Sequence, residues 1–97
     1  MIIDILGHNY EVKERDDLGD QMGRCNLVKG IIDIDKELSP DVKAETLNLE
    51  VMEGINFWGD LHLEHHQISL ISAFQFGTLA QNKEFRDYLW RILRKHG

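Results

Sequence analysis

The chain has 97 residues, of which 42% are apolar and 29% charged, with a formal net charge of −6. That balance and length describe one globular domain with a modest core, and no run of about 18 apolar residues is available to span a membrane. The charge is uneven: 6 basic and 15 acidic residues lie between Met1 and Asn82, and 5 basic and 2 acidic between Lys83 and Gly97. An acidic body is the wrong surface for a phosphate backbone, so no nucleic-acid partner is expected.

The first stretch, Met1-Ile2-Ile3-Asp4-Ile5-Leu6, carries no basic residue and is interrupted by Asp4, unlike a signal peptide. One cysteine, Cys25, cannot form an internal disulfide and has no neighbouring base or metal-ligand partner in sequence. The expected compartment is the cytoplasm.

In chain order, residues 1–6 and 9–13 read as two strands around a Gly7-His8 hairpin turn. Residues 14–20 read as a charged loop, and residues 23–27 and 30–34 as two further short strands. Ile32-Asp33-Ile34-Asp35 alternates with period two, as a half-buried strand does. Ser39-Pro40-Asp41 then combines an N-cap residue, a proline at the first helical position and an acid in the first turn. A helix is predicted over residues 39–58, ended by Gly59. Ala44, Leu47, Val51, Ile55 and Trp58 form one apolar stripe and Val42, Leu49 and Met52 a second, so this helix should lie between the sheet and later helices. A second helix is predicted over residues 62–80, carrying Leu63, Ile68, Ile71, Phe74 and Leu79, and a third over 83–95, with Phe85, Leu89, Ile92 and Leu93 on its apolar face. Strands first and helices after give an α+β domain, a small antiparallel sheet packed on two or three helices.

Four pieces of this pattern recur together in a known family. Ile32-Asp33-Ile34-Asp35 leads to Leu38-Ser39-Pro40, then to Glu45-Thr46-Leu47 and Glu50, and Leu79 to Phe85 closes the region. In that order and spacing, the chain from about Ile5 to Phe85 resembles the short phage-encoded relatives of the ImmA/IrrE-like zinc peptidases. The resemblance implies a minimal zincin-like domain whose central helix carries HExxH, two histidines sharing one helix face to chelate zinc beside a general-base glutamate. Here those five positions are Leu49-Glu50-Val51-Met52-Glu53. Glu50 matches the general base, while Leu49 and Glu53 stand where the two zinc histidines would be. The third ligand implied by the family is an acid on the next helix, and no Asp or Glu occurs between His65 and Lys83. The implied chemistry is therefore absent: a pseudoenzyme, with no catalytic residue and no cofactor.

One constellation offers a different metal site. His62-Leu63-Glu64-His65-His66, if helical, sets His62 and His66 four apart on one face, which Glu50 and Glu53 of the preceding helix could face. A polar helix start is the simpler reading, leaving Glu53, His62 and His66 as secondary metal candidates. The leading expectation is a non-catalytic, phage or prophage-type protein-binding module, acting in the host cytoplasm on a host protein, for instance as an inhibitor. Leu49, Met52 and Glu53 are its candidate binding residues, and its acidic surface favours a basic partner. Two alternatives stand beside it: a metal-dependent hydrolase with rearranged ligands, and a homodimeric structural or assembly protein joined through the C-terminal helix with Tyr88 and Trp90.

Overall fold

A computed structural model describes residues 1–96 of the chain. Four strands, β1 (Ile2–Ile5), β2 (His8–Arg15), β3 (Gly23–Asn26) and β4 (Ile31–Asp35), precede three helices, α1 (Pro40–Trp58), α2 (His65–Gln81) and α3 (Lys83–Leu93), with a final 3₁₀ turn at Arg94–His96. The α+β class and the order of elements follow the sequence pattern. The sheet, ordered β1-β2-β4-β3, departs from it in one respect. Two antiparallel hairpins, β1–β2 and β3–β4, are joined by a parallel pairing of β2 with β4, so the sheet is mixed rather than antiparallel throughout. The cause lies in the connection: residues 16–30 bring the chain back along β2 rather than against it, and β3 is the edge strand that makes the return possible.

The first hairpin turns at Leu6-Gly7, not at Gly7-His8. Both residues take positive φ, 50° and 88°, the left-handed pair that a two-residue hairpin turn requires. Asp4 steadies it by accepting the Gly7 N–H at 2.7 Å. His8 thereby becomes the first residue of β2, where its ring stacks on Trp58 with centroids 3.4 Å apart and planes 9° from parallel.

The core sits between one sheet face and α1. Ile5, Tyr10, Ile32 and Ile34 are buried, and Leu47, Val51 and Trp58 of α1 pack onto them with Ile3, Val12 and Cys25. Close approach is achieved at two glycines. A Cβ at Gly54 would stand 2.9 Å from Ile5 Cδ1, and one at Gly23 would stand 2.6 Å from Thr46 Cγ2. Trp58 Nε1 donates to Tyr10 Oη at 2.7 Å, satisfying a polar group that the aromatic body carries into the interior. On the opposite face Asp33 is buried and accepts from Arg24 Nε at 2.9 Å. Leu18, in the segment expected to be a charged loop, is also buried.

The two stripes of α1 pack in part as their spacing implies. Leu47, Val51 and Trp58 face the sheet, while Val42 and Leu49 turn toward α2. Ala44 and Ile55, assigned to the first stripe, remain exposed. The later helices bury less than their patterns suggest. In α2 only Ile68 and Ser72 are buried, with Ile71 and Phe74 left outside. In α3 no residue is buried. No helix among the described residues is long and apolar enough to cross a membrane.

Candidate functional site

Leu49 and Glu53 lie one turn apart on the face of α1 that meets α2, and His65 and Ser69 lie one turn apart on the facing side of α2. The two helices hold together through Asn48, whose side-chain amide donates to buried Ser72 Oγ at 2.8 Å. At the near end, Glu53 Oε1 lies 2.6 Å from His65 Nδ1, and Ser69 Oγ lies 3.4 Å from His65 Nε2. The imidazole is thus engaged on both nitrogens, one by a carboxylate and one by a hydroxyl.

The helix that carries His65 begins later than the sequence pattern predicts. Asn56 holds the intervening loop by both ends of its amide, accepting the Leu63 N–H at 2.9 Å and donating to the Leu63 carbonyl at 3.2 Å. Asp60 and His62 take positive φ, 54° and 58°, so the backbone cannot be helical there. Glu64 is the N-cap, its N–H bonded to Gln67 Oε1 at 2.9 Å. His62 and His66 are therefore not one turn apart on a single helix face. His62 lies outside α2 beside Asp60 at 3.0 Å, and His66 lies 3.3 Å from Glu64. Neither is the histidine that meets Glu53. His65, the middle of the three and not singled out from sequence, holds that position because α2 starts there. Among the described residues no group of three or more His, Cys, Asp or Glu side chains is arranged to hold a metal ion.

Beside this pair, a cleft of about 430 Å³ opens between β3 and α1, lined by Cys25, Glu50, Glu53 and His65, among others. Glu50 is half-buried in it. Loss of hydration and the nearby Glu53 charge push its pKa up to about 6, with His65 opposing the shift. Cys25 faces the same carboxylates from β3. Burial, then Glu50 and Glu53, push its thiol up to about 11. A thiol so placed stays protonated at neutral pH and is a poor nucleophile.

The larger cavity lies on the other side of Leu49. It is a groove of about 600 Å³ between α1 and α2. Val42, Leu49, Ala73 and Phe76 give it an apolar floor, Asp41 and Glu45 stand on it from α1, and no basic side chain lines it. Of the three candidate binding residues, Leu49 lies in this groove and Glu53 in the cleft. Met52 lines neither; it is half-buried, with its sulfur 3.9 Å from the Asn48 amide. The outer side of α2 adds Leu70 and Phe74, 57% and 66% exposed and one turn apart, to the apolar surface. That surface escaped the sequence reading, because Ile71 and Phe74 have the spacing of core residues and only the absence of a layer above them makes them superficial.

No family model, curated protein or solved structure matches this chain.

Proposed function

We propose that the chain is a non-catalytic protein-binding module, built on a degenerate domain of the metallopeptidase type and recognising its partner through the α1–α2 groove. One observation carries the reading: Leu49 stands where the resemblance places a zinc histidine, and it forms part of the floor of the apolar groove. A leucine contributes no ligand there but adds to a surface that gains from being covered. The neighbouring carboxylates and the protonated Cys25 supply no activated nucleophile in support of a hydrolase. The groove is open at both helices, apolar below and acidic at Asp41 and Glu45. Its complement is an apolar segment with basic residues at its margins. In the phage setting that the resemblance implies, such a module acts by occupying a surface of a host protein.

The test is affinity capture with the intact chain and with Leu49→Glu, which places a charge on the groove floor. A partner retained by the intact chain and lost with Leu49→Glu, while both melt as folded domains, is the expected result. An identical set of captured proteins would move the binding surface elsewhere. Stoichiometric zinc retained after desalting and lost with His65→Ala would replace the reading with a metalloenzyme.

A further inference from the structure

The complement that the groove calls for is present in the chain itself. We propose that two copies form a two-fold dimer in which α3 of each lies in the α1–α2 groove of the other; this rests on the reading of that groove as a binding surface.

Three observations lead to it. The first is that α3 is amphipathic yet unpartnered: Phe85, Tyr88 and Ile92 share one flank, Trp90 and Leu93 another, and all five are exposed, Trp90 at 59%. A helix of 11 residues is about 16 Å long and does not hold its shape in water without an apolar surface to pack on. Its own α2 gives it little, chiefly Leu79 and the bonds from Arg86 Nη1 to the carbonyls of Leu79 and Ala80, at 2.9 and 3.0 Å.

The second is charge. The segment from Lys83 onward carries 5 basic and 2 acidic residues, against 6 and 15 in the remainder. Arg91 lies beside the Tyr88 ring, its guanidinium carbon 5.5 Å from the centroid, so a basic group travels with the apolar flank. Packing α3 against α3 would bring like charges together. Placing α3 in a groove bearing Asp41 and Glu45 and no basic residue brings opposite ones together.

The third is position. One end of the groove is formed by Ala80 and Gln81, and α3 leaves α2 at Asn82, the next residue. A two-fold axis near two such junctions lets each α3 enter the other copy's groove without any rearrangement of its own root. The interface is then isologous, both grooves are filled until a host segment displaces α3, and no free end remains for further growth.

Sedimentation velocity at about 0.1 mM protein, where micromolar association is fully visible, tests this. The expected result for the intact chain is a dimer mass that declines as salt is raised. Asp41→Lys/Glu45→Lys and Arg91→Glu/Lys95→Glu change exposed or half-exposed side chains only, and each should weaken the dimer at least about tenfold. An equimolar mixture of the two variants should restore it, because each groove then again meets a helix of opposite charge. A monomeric intact chain, undiminished dimers of both variants, or a mixture no more associated than its components would each overturn the proposal. Loss of a captured partner with Leu49→Glu would still be observable in a monomer, so failure of the dimer and failure of the groove reading are told apart.

Discussion

Glu50 shares its cleft with Glu53 and has lost part of its hydration, and its pKa rises from an ordinary 4.5 to about 6 as a result. Glutamine at this position keeps the shape and removes the charge. Above pH 6 the carboxyl is ionised in both folded and unfolded chains, and the folded chain bears the cost of holding that charge in the cleft. Below about pH 4.5 it is protonated in both, and the cost vanishes. Between the two values the folded chain binds more protons, so this group lowers stability progressively as pH rises. A gap of about 1.5 units sets a ceiling of about 2 kcal/mol, and because the cleft is open to water about 1 kcal/mol is a fair expectation. For a domain of this size that is a rise in Tm of about 4–8 °C for Glu50→Gln at neutral pH, shrinking to nothing near pH 4. Thermal unfolding of both proteins at the two pH values, followed by circular dichroism, reads it directly. Equal shifts at both pH values, or a less stable variant at neutral pH, would refute the reasoning. The second outcome would mean that the carboxylate is held by His65 rather than strained beside Glu53.

Two further substitutions probe how the sheet is held to α1. Gly23→Ala places a methyl 2.6 Å from Thr46 Cγ2 and 3.1 Å from the Asp33 carbonyl. It should cost about 1–3 kcal/mol in denaturant unfolding, and Thr46→Ser, which removes that methyl, should recover part of the loss. No recovery in the double variant would show that the backbone contact dominates. Trp58→Phe removes the bond to Tyr10 Oη and part of the surface stacked on His8. A loss of about 1–2 kcal/mol is expected, and an unchanged midpoint would mean that water replaces the indole without penalty.

The local parts of this fold are legible in the sequence, and the parts that arise from distant contacts are not. Ser39-Pro40-Asp41 places the start of α1 because capping is a matter of three or four neighbouring residues, and the structure has Ser39 Oγ facing the Val42 N–H at 3.4 Å. The double stripe of α1 identified it as the middle layer. The parallel β2–β4 pairing was invisible, since the period-two pattern of Ile31–Asp35 is the same whichever way its neighbour runs. The start of α2 was placed early because nothing in Asp60 to Glu64 reveals that Asn56 will bind Leu63 from both sides. That error carried the candidate histidine from His65 to its neighbours on either side. The meeting of Cys25 with Glu50 and Glu53 joins residues 25 or more positions apart, and no spacing rule reaches so far.

The mixed sheet also has a kinetic side. Each hairpin closes between residues close in sequence, β1 with β2 through a two-residue turn and β3 with β4 through a short one. The seam between them pairs Glu11–Arg15 with Ile31–Asp35, a separation of 20 residues at every rung. Closing that loop must precede any gain from the contacts it makes, so among the pairings of the sheet the seam carries the largest loop-closure cost. Amide exchange across the seam should therefore report the opening of the whole domain, while the outer rungs of β1 exchange by local fraying.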